Sequence, residues 1–334
     1  KGYCSYMAQN MIVANRMFET QLQPIIQWKT RKGLNVITGY TEQANVGTTT
    51  TTIKAFIKSF YDNATPSDPA PTFVLLVGDV AQIPTFTGTT NSAHKTDLKY
   101  FEYTGDYLPE IYYGRWSATS TAQLQPQIDK TMMYEQYTMP DPSYLKNILL
   151  VAGVDQEGGD PNGFSTVHGN GQLLYGINNY FNAAHGLSNY EYLYPESDLP
   201  ASVAAIKADF NTGVAYANYT AHCSSTGWAN PSFTTSDVPN MTNANKYGLM
   251  VGNCCQSNTF NDPECFGEAV LRKANGGAVG YIGGSNYSYW DEDYHWGVGA
   301  KAISNPPPAH TLSNYGAYDR TFHDLGEPTN EWYI

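Results

Sequence analysis

Charged side chains are scarce in this chain of 334 residues: Asp, Glu, Lys and Arg make up 14%, against roughly 25% in ordinary soluble proteins. The shortage is deepest on the basic side, with Lys+Arg 18 against Asp+Glu 30 and a net charge of −12. So acidic a surface repels phosphate backbones and argues against nucleic acid as a partner. The same field favours a cationic ligand or substrate. No apolar run approaches the ~20 residues that cross a bilayer, so no membrane span is expected. The opening "KGYCSYMAQN" lacks the charged-then-apolar pattern of a signal peptide. The chain therefore reads as soluble, or as the mature part of something longer. Cysteine is also sparse. Cys4, Cys223, Cys254, Cys255 and Cys265 form an odd set with no dense disulfide framework, and at least one stays unpaired within the chain.

What is present supports a large core: 41% hydrophobic residues, including 27 tyrosines. "NMIVANR" reads as a first strand. A helix follows with Leu22, Ile25 and Ile26 on one face, Pro24 in its first turn or at a kink, and Lys29, Arg31 and Lys32 before Gly33. "LNVITGY" is a strand, and Ile53, Phe56, Ile57 and Phe60 recur at helical spacing. "TFVLLVGD" is wholly apolar up to Gly78–Asp79. A helix through Leu124, Ile128, Met132 and Met133 leads to the turn "TMPDPS", after which the pattern restarts with "NILLVAGVD". "GVAYANYT", "YGLMVGN" and "GAVGYIGG" complete the strands, with "CFGEAVLRKANGG" as a helix between the last two. Continuous apolar strands alternating with helices indicate an α/β fold with a mostly parallel sheet covered on both faces. The restart predicts two side-by-side subdomains, 1–142 and 143–334.

In open α/β sheets, ligands sit beyond the carboxyl ends of the strands. Here successive strands end at Asp155, at His222, at Cys254–Cys255 and at Ser285–Asn286. Any one of these alone reads as a polar strand end chosen for solubility. Together they supply a thiol nucleophile, an imidazole to take and return its proton, and a carboxylate to fix the imidazole tautomer. Small neighbours in "VGNCCQS" allow backbone and substrate close approach. A zinc site from His222, Cys223, Cys254, Cys255 and Cys265 ranks below this, since no C-x2-C or H-x3-H spacing occurs. Strand alternation turns one of Cys254 and Cys255 to the core and the other to the cleft, and periodicity leaves open which.

The segments "NYTAHCSSTGWANP", "GNCCQSNTF", "ECFGEAVLR" and "YIGGSNYSYWDEDYHWGVGA" together resemble the catalytic domain of the gingipain family of cysteine peptidases, most of all its lysine-specific branch. The likeness extends through "WKTRKGLNV", "VGTTTTTIKAFI", "LLVGD", "GDYLPE" and "IDKTMMYEQYTMPDPSYL", covering nearly the whole chain. It implies a caspase-like α/β fold with two subdomains and an endopeptidase, secreted or cell-surface in its mature form, that cleaves after a basic residue. By the resemblance Cys255 is the nucleophile, His222 the general acid/base and Asp155 its orienting carboxylate. The backbone amides of Cys223 and Cys255 become the oxyanion donors. Asp293 lies over the substrate ammonium with Trp290 flanking the stem, and Thr220 and Asn253 join the substrate-binding set. Read alone, "DED" is a solvated acidic loop, and it does not separate lysine from arginine preference. The resemblance also implies structural Ca2+, for which Asp106, Glu110, Glu268 and backbone oxygen near Phe260 are the candidates. No organic cofactor is expected.

The expected partners are protein or peptide substrates with Lys before the scissile bond, an inhibitory pro-segment, and a second cleaved chain completing the family domain beyond "NEWYI". Two positions depart from the family pattern. Cys223 stands where the family has glycine after the histidine, and its expected role is a small buried side chain rather than a second nucleophile. Thr104 stands where a further acid precedes Asp106. The competing function is a catalytically impaired, peptidase-like binding protein. Cys223 speaks for it, while retention of Asp155, His222 and Cys255 together speaks against it.

Overall fold

The computed structural model describes residues 8–89, 92–156 and 159–322. The chain forms two compact units, Lys1–Met132 and Met133–Ile334. The boundary falls inside a helix, upstream of the turn where the sequence pattern restarts. The reason is packing: Leu124 and Ile128 of that helix are buried in the first unit's core, with Met132 against it.

The first unit is built on β1 (Gln9–Ala14), α1 (Glu19–Arg31), β2 (Asn35–Tyr40), α2 (Thr50–Asp62), β3 (Pro71–Val77), the short pair β4 (Phe86–Thr87) and β5 (Lys95–Thr96), β6 (Tyr112–Trp116) and α3 (Thr121–Gln136). Its main sheet has the order β2-β1-β3-β6, with every pairing parallel. Met11, Val13, Val74 and Leu76 enter one core, while Ile12, Ala14 and Val77 enter another. Period-2 alternation within apolar strands thus feeds a core on each face. Pro24 lies inside α1, beyond its first turn, because the helix opens at Glu19 after a 3-10 turn.

The second unit holds β7 (Asn147–Ala152), α4 (Asn170–Asn179), β8 (Ser188–Tyr192), α5 (Pro200–Thr212), β9 (Tyr216–Thr220), the short strands β10 (Cys223–Ser224), β11 (Gly227–Trp228) and β12 (Phe233–Thr234), then β13 (Leu249–Asn253), α6 (Phe266–Arg272), β14 (Gly280–Gly283), α7 (Trp290–Val298) and α8 (Ala317–Phe322). Its parallel sheet runs β14-β13-β9-β7-β8. Leu149, Val151, Ala217, Tyr219 and Met250 face one core. Ile148, Leu150, Ala152, Tyr216 and Val251 face the other. The order brings the carboxyl ends of β7, β9 and β13 side by side, and those three ends carry Asp155, His222 and Cys255. Among the described residues no helix is long and apolar enough to cross a membrane.

Candidate active site

The ladder register places the site. Ala152 pairs with Thr220 across β7 and β9, and Thr220 pairs with Asn253 across β9 and β13. Two residues beyond that last pair come His222 on one chain and Cys255 on the next. Adjacent strands lie about 4.8 Å apart, so the register alone brings imidazole and thiol to neighbouring strand ends.

His222 Nε2 meets Asp155 Oδ1 at 3.2 Å. The Asp155 side chain is 5% exposed and that of His222 48%, the asymmetry expected of a buried orienting carboxylate and a working imidazole. Asp155 Oδ2 accepts a hydrogen bond from Asn162 Nδ2 (3.0 Å), and its backbone N–H donates to Ser165 Oγ (2.7 Å). The His222 carbonyl accepts from Tyr219 Oη (2.9 Å) and from the Ala229 N–H (3.0 Å). Tyr219 is itself held by stacking on Trp228, with centroids 4.5 Å apart. The imidazole also meets the edge of the Trp290 ring at 5.5 Å, and Phe164 stacks on Trp290 at 5.7 Å.

Cys255 follows β13 at a sharp turn. Gln256 takes the left-handed conformation, φ 57°, a conformation that costs a non-glycine residue of order 1 kcal/mol or more. The Gln256 N–H donates to Asn286 O (2.9 Å) and the Asn258 N–H to Gly284 O (3.0 Å), anchoring the turn to the segment after β14. Gly252 allows this tight packing, because a Cβ there would lie 2.2 Å from Tyr281 Oη. Cys255 Sγ lies 3.4 Å from both the backbone N and the backbone O of Ser288. Burial resolves the cysteine pair: just past the end of β13, Cys254 is buried among Tyr219, Trp228 and Phe266, while Cys255 is half-buried.

The same Ser288 donates its hydroxyl to Asp293 Oδ2 at 3.0 Å. Asp293 is 7% exposed. Burial pushes its carboxyl up to about 7, with Glu292 adding to the rise and the Ser288 hydroxyl opposing it. Its backbone carbonyl accepts from Asn253 Nδ2 (2.8 Å) and Gln172 Nε2 (2.9 Å). A cavity of about 310 Å³ is lined by Asn253, Ser288, Glu292, Asp293 and Trp296, with Val251, Gly252 and Ile282 from the strands. Trp290 lies beside His222 rather than among these lining residues, and Thr220 is wholly buried at the β9 end. The "DED" segment is not a loop but the first turn of α7, with Asp291 and Glu292 exposed and Asp293 turned inward.

Cys223 is neither fully buried nor free. Its sulfur is bonded to Cys254, with Cα atoms 5.4 Å apart, which corrects the expectation of a small buried side chain. Two of the five groups that a zinc site would need are thereby consumed, and Cys265 is buried and free. Cys4 lies outside the described residues. Asp106 is exposed and Glu110 half-buried in one irregular segment, where Asp106 Oδ1 accepts from the Leu108 N–H (2.9 Å). Glu110 accepts from the Tyr103 N–H (2.6 Å) and the Thr104 hydroxyl (2.8 Å). Glu268 is buried, with Oε1 on Arg272 Nη2 (2.7 Å) and Oε2 on the Cys265 N–H (3.0 Å). Among the described residues, no three His, Cys, Asp or Glu side chains gather as a metal cage.

The chain matches the profile of peptidase family C25 over residues 5–330. It belongs to peptidase family C25. It is 42% identical to Lys-gingipain HG66 of Porphyromonas gingivalis over 313 residues, covering 93% of this chain and 18% of that protein. The chain thus spans under a fifth of this curated relative. A solved structure described as a protease superposes with a TM-score of 0.87 at 41% identity, covering 95% of this chain and 68% of the other. The complex of Porphyromonas gingivalis RgpB pro- and mature domains superposes at 0.70 with 26% identity, covering 86% and 66%. The fold of this C25 chain is the caspase-like α/β fold of these structures. Sequence reasoning missed Ser288, Trp296 and the Cys223–Cys254 bond. Ser288 carried no signal, being one serine in a Ser/Tyr-rich stretch. The bond did carry one, since Cys223 and Cys254 lie at the ends of two strands whose order in the sheet was not read from the sequence.

Proposed function

We propose that this chain carries the catalytic centre of a cysteine endopeptidase that cleaves after lysine. The observation that carries the reading is Ser288. It touches the Cys255 sulfur through its backbone and the buried Asp293 carboxylate through its hydroxyl, which ties the nucleophile to a cation-seeking cavity. A lysine side chain entering that cavity lays its apolar stem along Val251, Ile282 and Trp296 and meets Asp293 with its ammonium. Asp293 already spends Oδ2 on Ser288, so it suits a point charge better than the two-pronged guanidinium of arginine.

In the reaction Cys255 Sγ bonds to the scissile carbonyl carbon while His222 takes the thiol proton. Asp155 holds the ring and stabilises the imidazolium. The oxygen, now negative, is met by the backbone amides of Cys223 and Cys255. The C–N bond then breaks as His222 delivers its proton to the leaving amine. Water, deprotonated by the same imidazole, hydrolyses the thioester and restores the thiol. A peptide panel with Lys or Arg before the scissile bond tests this. Lys peptides should turn over, Cys255→Ala should lose at least 1000-fold in kcat, and Asp293→Ala should lose Lys cleavage selectively. Undiminished turnover by Cys255→Ala would overturn the nucleophile assignment.

Three further readings belong to this proposal. A secreted or cell-surface location is supported by the Cys223–Cys254 disulfide, since such bonds persist in oxidising compartments. An inhibitory pro-segment is supported by the likeness to a pro- and mature-domain complex, whereas a second cleaved chain rests on the sequence resemblance alone. Calcium is kept as a structural ion. Asp106 and Glu110 in the first unit fit a hard cation, since each carboxylate offers about four acceptor sites and few are used. In the second unit the Phe260 carbonyl and Glu268 are the candidates, with Glu268 already shared with Arg272. The ion would stiffen loops and take no part in the chemistry. Chelation should lower Tm by several degrees and Ca2+ should restore it. A melting curve indifferent to both would remove calcium from the reading.

A further inference from the structure

The ladder between β9 and β13 stops at Thr220↔Asn253. Beyond it the two chains carrying the working residues are free to diverge: one passes through Ala221 and His222 into the β10–β11 hairpin, the other turns sharply at Gln256. The hydrogen bonds that fix the His222 backbone come from Tyr219 and Ala229, which lie on its own hairpin side. Those that fix the Cys255 turn come from Gly284 and Asn286, on the opposite side. The start of α6 links the two sides at a distance, since the Phe266 N–H donates to Ser225 O (2.8 Å) and the Gly267 N–H to Ser257 O (3.0 Å), each two or three residues past the working pair. The Cys223–Cys254 bond is the covalent and the nearer link, because it joins the residue after His222 to the residue before Cys255.

We infer that this disulfide is a positioning brace for catalysis, setting the distance and angle between the His222 imidazole and the Cys255 thiol. It also sets the Cys223 amide against the Cys255 amide, the two donors to the oxyanion. This inference rests on the proposed peptidase reading. The bridge touches no reacting atom. Cys254 faces the core with 2% exposure, Cys223 packs against the same cluster, and the Cys255 sulfur lies against Ser288 instead. Its leverage is geometric. Each bridged Cα is one residue, about 3.8 Å, from the Cα of a working residue, and misplacement of reacting groups by about 1 Å costs on the order of 100-fold in rate. Among the described residues the half-exposed His222 side chain holds one hydrogen bond, to Asp155, and one ring contact, with Trp290, so its backbone carries much of its positioning. A glycine at position 223 cannot make the bridge.

The bridge is also open to reduction: dithiothreitol delivers two electrons and two protons to the Cys223 and Cys254 sulfurs, closing to its own cyclic disulfide, and so releases the brace.

The test compares the unmodified chain with Cys223→Ala/Cys254→Ala. Steady-state kinetics use a Lys peptide, and the rate of iodoacetamide alkylation of Cys255 is measured at one fixed pH. We expect kcat to fall at least tenfold with KM changed less than threefold and Lys-over-Arg preference intact. The alkylation rate should fall at least threefold as the imidazole loses its place beside the thiol. A kcat within twofold and an unchanged alkylation rate would overturn the brace, as would peptide mapping of unreduced protein that finds no Cys223–Cys254 link. If the double variant does not fold, the unmodified chain is titrated with dithiothreitol, and activity is expressed per alkylatable Cys255. That ratio should drop as the mapped bridge opens, and a constant ratio through full reduction would overturn the inference. Absence of any peptide cleavage by the unmodified chain would sink the peptidase reading instead, and the alkylation rate would still decide whether the bridge governs the thiol.

Discussion

Burying a carboxylate with a hydroxyl but no cation beside it favours the protonated form, and Asp293 is held near 7 for that reason. The consequence for stability has a definite sign. The unfolded chain releases this proton near 3.8 and the folded chain near 7, so between those values the folded state binds more protons. Stability therefore falls as pH rises through that window, by a few kcal/mol in all, and the loss is complete above 7. Asp293→Asn removes the penalty. It should raise Tm by about 5 °C or more at pH 8 and by clearly less at pH 5, measured by scanning calorimetry. Binding reverses the sign, because a lysine ammonium stabilises the ionised form. kcat/KM for Lys peptides should therefore climb as pH passes 7, mainly through KM, and that limb should vanish in Asp293→Asn. A variant that melts with the same pH dependence as the unmodified chain would show that Asp293 is not the group responsible.

Among the elements, the strands were the most legible because their information is local. Five-to-seven-residue apolar runs bounded by Gly, Asn or Asp can hardly be anything but buried parallel strands, and β3, β7, β9 and β13 sit where the runs are. The capped helix α2 was equally plain: Ile53, Phe56 and Ile57 recur at helical spacing behind Thr49, whose side chain accepts from the Thr52 N–H. The α7 segment was not. Three consecutive acids look like a solvated loop, and only the neighbouring strand ends decide that Asp293 turns inward while Asp291 and Glu292 stay wet. Strand order was likewise illegible, since nothing local says that β9 lies between β7 and β13. Without that order the sequence supplied Asp155, His222 and Cys255 as an inventory of strand ends but could not pair Cys223 with Cys254. The candidate catalytic residues are thus readable one by one, whereas the Cys223–Cys254 bond between their strand ends is a property of the sheet.

At the scale of the whole molecule, the net charge of −12 on a surface otherwise poor in charge should act on substrates before they reach the cavity. A long-range negative field raises the encounter rate of cationic peptides and lowers that of anionic ones. Its reach is the Debye length, about 30 Å at 0.01 M salt and about 3 Å at 1 M, so salt switches it off without touching the buried Asp293 contact. kcat/KM for a Lys peptide carrying extra basic flanks should fall about three- to tenfold between those salt concentrations. The same peptide with two acidic flanks should rise over the same range. Opposite slopes, read as initial rates at substrate well below KM, separate steering from a general salt effect on the fold, which would move both peptides together. Parallel slopes would mean that the acidic surface serves solubility alone and that selection for cations begins only at the mouth of the cavity.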